Sequence, residues 1–114
     1  MTNAERIQIE KTILCKVVDD ALAAGYSVTV YDCEEFTIKR SRDREAILKA
    51  TMTTDDDRLY FYPPEGGRTI GWVWFVYGEN GHDVICDYID SPKMEALLSG
   101  ALALADKLGK EIAP

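Results

Sequence analysis

The chain has 114 residues, 46% of them hydrophobic and 29% charged, and its 20 acidic against 13 basic side chains give a formal charge of −7. That length suits one domain able to bury roughly two-thirds of its extended-chain surface, and the composition excludes a disordered chain. The acidic excess argues against direct nucleic-acid binding, which needs a basic face to meet the phosphates.

Thr2 or Asn3 is placed to cap a first helix over about residues 3–24. Apolar residues recur at Ile13, Leu14, Val17, Val18, Ala21 and Leu22, and Gly25 stands where a left-handed C-cap belongs. Residues 26–31 (Tyr-Ser-Val-Thr-Val-Tyr) alternate and are β-branched. Asp32-Cys-Glu-Glu35 supplies a turn and residues 36–39 return, which makes a hairpin with Val28, Val30, Phe36 and Ile38 inward. Ser41 is expected to cap a short second helix with Ala46, Ile47, Ala50 and Met52 on its apolar side. Asp55-Asp-Asp57 reads as a solvated connector. Residues 59–62 read as a third strand, stopped by Pro63-Pro64.

Residues 69–77 form the longest apolar, β-branched and aromatic run, returning through Gly78-Glu-Asn-Gly-His-Asp83 into residues 84–89. Both faces of that first run are apolar, which predicts an interior strand covered on both sides. Ser91, Pro92 and Glu95 then mark a helix start, and Met94, Leu97, Leu98, Ala101, Leu102, Ala105 and Leu108 repeat at helical spacing until Gly109 ends the run. The order is α-ββ-α-βββ-α. Residues 1–114 are therefore expected to form a single α+β domain, a mainly antiparallel sheet with the two terminal helices packed against it.

The last helix has few charges between Glu95 and Asp106, and Ala96, Ala103 and Leu104 widen its apolar surface. Such a helix covers a core on one side and offers a second contact on the other. Leu97, Ala101, Leu104 and Leu108 are the candidate partner-binding residues, and a homodimer is the expected assembly.

No catalytic constellation stands out. The single histidine, His82, lies at a hairpin tip between acids, where an inert, exposed role is expected. Cys15 and Cys86 read as small packed side chains, and three carboxylates around Cys33 would raise its pKa. The three cysteines lack any metal or disulfide spacing, and no apolar run approaches the ~18 residues of a membrane span. The expectation is a cytoplasmic protein with reduced thiols, no cofactor, no metal and no membrane contact. Asp87 stands out on an apolar strand, read mainly as an edge charge that discourages aggregation. Lys39, Arg40, Arg42 and Arg44 form the one basic cluster. They could hold a phosphate or nucleotide, or simply neutralise nearby acids. Trp72, Trp74, Tyr60 and Tyr62 could stack on a ring, or belong to the core.

Residues 30–41 (Val-Tyr-Asp-Cys-Glu-Glu-Phe-Thr-Ile-Lys-Arg-Ser), 71–78 (Gly-Trp-Val-Trp-Phe-Val-Tyr-Gly) and 84–88 (Val-Ile-Cys-Asp-Tyr) resemble a set of small uncharacterised proteins of bacteria, their phages and other mobile elements. Those proteins often read D-G-E-E-W-x-V-K-R-S and VYGN…VIxDY, and the similarity covers about residues 26–108. The resemblance implies no activity, because the set carries none. This chain departs from the pattern with Phe36 where tryptophan is frequent. It also has Cys33 where glycine would suit a tight turn, which argues against a strictly left-handed residue there.

The leading expectation is a small acidic, non-enzymatic module acting through protein contacts with itself and an unknown partner. One alternative is a phage counter-defence inhibitor whose acidic surface mimics nucleic acid. The other is a binder of small anions using residues 39–44.

Overall fold

The computed structural model describes residues 1–112. Its elements are α1 (Asn3–Ala23), β1 (Ser27–Tyr31), β2 (Phe36–Ser41), α2 (Arg44–Lys49), β3 (Asp56–Tyr62), β4 (Gly71–Val76), β5 (Ile85–Tyr88) and α3 (Pro92–Ile112). The order is the expected α-ββ-α-βββ-α, and every strand pairing is antiparallel in a sheet ordered β2-β1-β3-β4-β5.

The ends of α1 follow from local chemistry. Thr2 Oγ1 accepts from the Glu5 amide at 3.1 Å while Glu5 Oε1 accepts from the Thr2 amide at 3.3 Å, so two otherwise orphaned donors are satisfied reciprocally. At the other end Gly25 adopts φ +92°. The Gly25 amide donates to Leu22 O and the Tyr26 amide to Ala21 O, the paired bonds that close a helix through a left-handed residue. At α3, Ser91 Oγ accepts from the Met94 amide, as its position before Pro92 predicts.

The core lies on one side of the sheet. Ile13, Leu14, Val17, Val18 and Ala21 of α1 and Met94, Leu97, Leu98 and Ala101 of α3 pack on Val28, Val30, Leu59, Phe61, Val73 and Phe75. The register pairs Val28 with Phe61, Val30 with Leu59 and Leu59 with Val73, so the buried positions of three adjacent strands form one face. Ile47 of α2 joins the same cluster. One close approach sets its tightness. A Cβ at Gly71 would lie 2.7 Å from Met94 Cγ, so glycine there lets α3 seat on β4.

Several expectations are corrected. The central run, now β4, has neighbours on both edges but a helical cover on one face only. Trp72, Trp74 and Val76 are half-buried, and the apolar character of that second face comes from wide aromatic rings. Phe36 is 52% exposed, because β1 and β2 pair with register irregularities that set Val30 against Ile38 and Tyr31 against Phe36. Asp43, not Ser41, caps α2, accepting from the Glu45 and Ala46 amides; Ser41 ends β2 and accepts from the Asp43 amide. Asp56 and Asp57 belong to β3, and Asp57 is fully buried. Gly109 does not end α3. A Cβ there would stand 2.7 Å from Cδ2 of His82, so the glycine makes room inside the helix for that ring. Cys33 does adopt the left-handed region, φ 73°, held in a turn where Asp32 Oδ1 accepts from the Glu34 and Glu35 amides. Cys86 is exposed on the edge strand rather than packed.

Candidate functional site

Strand alternation sends Arg58, Tyr60 and Tyr62 of β3 and Trp72 and Trp74 of β4 to the face that none of the described helices covers. The Arg58 guanidinium carbon lies 4.4 Å from the centroid of Trp72 and 5.7 Å from that of Trp74. Trp74 is itself oriented by its indole N–H, which donates to Asp56 Oδ2 at 2.9 Å. Arg58 Nε is buried and has no hydrogen-bond partner among the described residues. An arginine fixed in this way presents a flat fork of donors toward an incoming carboxylate or phosphate.

The outer half of the face repeats the arrangement. Tyr31 and Phe36 lie with ring centroids 4.8 Å apart, Phe36 and Tyr60 6.4 Å apart, and Lys39 Nζ sits 5.6 Å over the Phe36 ring. The Arg40 guanidinium is 4.1 Å from the Tyr62 centroid, with Nη2 donating to Gly67 O. Lys39, Arg40 and Arg58 form no ion pair among the described residues. Three cations, Lys39, Arg40 and Arg58, therefore share this face with two carboxylates, Asp56 and Asp87. Its carboxylates are engaged nearby: Asp56 by Trp74, and Asp87, opposite Trp74 in the register, by the Tyr88 amide.

The basic cluster is divided by the fold. Lys39 and Arg40 point over the aromatic face. Arg42 donates to Tyr26 O and Leu22 O at the carboxyl end of α1, where its charge complements the helix dipole. Arg44 bonds Asp19 at 2.6 Å, in keeping with an acid-neutralising role. On α3, Leu97 and Ala101 are core residues and are closed to a partner. Leu104 is half-buried in a shallow groove beside Lys11, Thr12 and Cys15 of α1, and Leu108 packs against the core. That leaves no continuous apolar outer stripe on this helix among the described residues. Sequence reasoning passed over Arg58, Tyr31 and Phe36 as functional residues. The signal for Arg58 was its two-residue spacing from Tyr60 and Tyr62, which puts all three on one face.

At the start of the central strand β3 is a second polar cluster. Asp57 Oδ2 accepts from the Tyr77 hydroxyl at 2.6 Å and the Met52 amide at 2.7 Å, while Oδ1 has no hydrogen-bond partner among the described residues. Burial pushes the Asp57 carboxyl above its ordinary range, and these two hydrogen bonds pull the other way. Burial likewise raises the Tyr77 hydroxyl far above its usual value. Glu10, also fully buried, accepts from Arg6 at 2.8 Å and from the Gly78 amide at 2.9 Å, tying α1 to the loop after β4. All four of these bonds serve the fold. Burial, and then a hydrogen bond with Asp56, push the Cys33 thiol up to about 11, so it is not a thiolate at neutral pH.

His82 is half-buried against α3 rather than free in solvent, with Nε2 3.5 Å from Asp83 and Nδ1 unpartnered. Among the described residues no group of three or more His, Cys, Asp or Glu is placed to hold a metal ion, and no helix is long and apolar enough to cross a membrane. In comparisons with known proteins, no family model matches the chain, and no curated protein or solved structure is similar enough to count as a match.

Proposed function

We propose that this protein is a non-enzymatic interaction module that receives a protein partner on the open face of its sheet, with a partner carboxylate meeting Arg58. The observation that carries this is the Arg58 guanidinium over Trp72 beside Trp74, on a face that none of the described helices covers and in no ion pair among the described residues. Tryptophan, tyrosine and arginine are also the residues that dominate binding energy at protein interfaces. Arg58 already occupies Trp72, which favours reception of a carboxylate there over stacking of a base. The net charge of −7 opposes a polyanionic strand as well.

The test is paired affinity capture from the protein's own host cells with wild type, R58A, W72A and L104E. Each variant is first shown to be folded, and the captured partner is then titrated directly. Loss of affinity by roughly tenfold or more in R58A and W72A, with L104E unaffected, supports docking on the sheet. Loss in L104E alone returns the contact to α3. Light scattering reads the self-association expectation on the same variants. A dimer dissolved by R58A places a second copy on this face, and a strict monomer leaves the face to a different protein.

A further inference from the structure

At the corner of the open face, where β1 begins and β3 ends, a cleft of about 490 Å³ is lined by Ser27, Arg40, Arg42, Tyr62, Pro63 and Pro64. That volume lies within the range of small-ligand sites, roughly 300–1,000 Å³. No carboxylate lines it, in a chain with 20 acidic residues. Arg40 has φ 45°, a left-handed conformation that a side chain as long as arginine rarely takes. The β1–β2 register is irregular here, and the Arg40 amide bonds Thr29 Oγ1 at 2.8 Å instead of continuing the ladder. The irregularity turns the Arg40 guanidinium onto Tyr62, at the wall of the cleft. Strained residues and bulges of this kind concentrate where a side chain must be aimed at a ligand.

Both arginines keep donors free. Of the five N–H groups a guanidinium carries, Arg40 commits one to Gly67 O and Arg42 two to Leu22 O and Tyr26 O. The carbonyl end of α1 offsets part of the Arg42 charge, so Arg40 supplies most of the unopposed positive field. Tyr62, Pro63 and Pro64 give one apolar wall, and the Ser27 hydroxyl adds a neutral hydrogen-bonding group. From this we infer that the cleft binds a small phosphate monoester, its oxyanion on Arg40 and Arg42 and its organic part against Tyr62 and the two prolines. Two arginines lining one cavity match an anion with several oxygens better than a single carboxylate.

The inference is independent of any partner on the sheet and is tested on the isolated protein. Amide NMR spectra are followed during titration with adenosine monophosphate, inorganic phosphate and acetate to ~5 mM each. Saturable shifts at Ser27, Arg40, Arg42 and Tyr62 with the nucleotide, weaker with phosphate and absent with acetate, are expected. R40Q should weaken nucleotide binding by roughly tenfold or more, while R44Q, whose parent residue bonds Asp19, should bind as wild type does. Shifts with inorganic phosphate equal to those with the nucleotide would assign the site to the free anion. Absence of saturable shifts, shifts confined to other surfaces, or binding unchanged in R40Q would overturn the inference. Because the wild-type map alone locates the site, an unfolded R40Q would still leave it open to refutation.

Discussion

The guanidinium carbon of Arg58 lies over the ring of Trp72, 4.4 Å from its centroid, on a sheet face that none of the described helices covers. The same strand turns Leu59 and Phe61 into the core. One residue of offset therefore separates the side chains that hold the domain together from those free to meet a partner. R58A should lower stability by about 1 kcal/mol or less, the scale of a half-exposed cation–π contact. L59A should cost about 2–5 kcal/mol, because it leaves a cavity in a packed core. Urea denaturation of the two variants checks the contrast.

Asp57 makes stability depend on pH in an unusual direction. Its carboxyl is raised in the folded state, mainly by burial, with Asp32 and Asp56 adding to the rise and the Tyr77 and Met52 bonds opposing it. A carboxyl raised on folding favours the native state fully below its unfolded value near 3.8, and that contribution is lost as pH rises through the folded value. D57N keeps an acceptor for Tyr77 and Met52 but does not ionise. Relative to wild type it should be more stable at pH 7, and the gap should shrink as pH falls toward 4. Urea midpoints for both proteins across that range measure it, and a gap that widens on acidification would contradict the burial argument.

Two glycines inside α3 should respond to alanine with opposite signs. A Cβ at Gly100 would meet the flexible ends of Lys16 and Asp20, which can move aside, so G100A should gain up to about 1 kcal/mol from helix propensity. At Gly109 the Cβ would meet the His82 ring at 2.7 Å. G109A should gain nothing or lose stability, and the His82 ring resonances should shift as the β4–β5 loop is displaced. Thermal unfolding with imidazole NMR distinguishes the two outcomes.

Helix α2 is short, so its cap carries a large share of its stability. D43A should cost about 1 kcal/mol and increase amide exchange over residues 44–49, because the Glu45 and Ala46 amides lose their acceptor. S41A, which removes an acceptor from the Asp43 amide alone, should cost less.

Much of the architecture was legible because its signals are local. Thr2 with Glu5, Gly25, and Ser91 before Pro92 bound two helices by short-range hydrogen bonds, and Val28 and Val30 alternate as half-covered strands do. What escaped depends on pairing across the chain. Phe36 is turned outward by the irregular β1–β2 register, which its own segment does not reveal. Asp57 resembles its neighbour Asp55 in sequence, yet it is buried because Tyr77, 20 residues on, donates to it. The basic run at 39–44 looked like one site, but the fold spends Arg42 on the end of α1 and Arg44 on Asp19. Trp72 and Trp74 read as core because their face is apolar. Arg58 stacked above them marks that face as open, and its role shows only once β3 is set beside β4.

The most direct measurement is hydroxyl-radical footprinting of Phe36, Trp72 and Trp74 in the isolated protein and in the complex captured from host cells. Reactivity of all three rings when free, and their protection in the complex with α3 unchanged, is the expected result. Unchanged reactivity of these rings, with protection confined to Ala103, Leu104 and Leu108, would show that the partner docks on the helix and that the open sheet is not the interface.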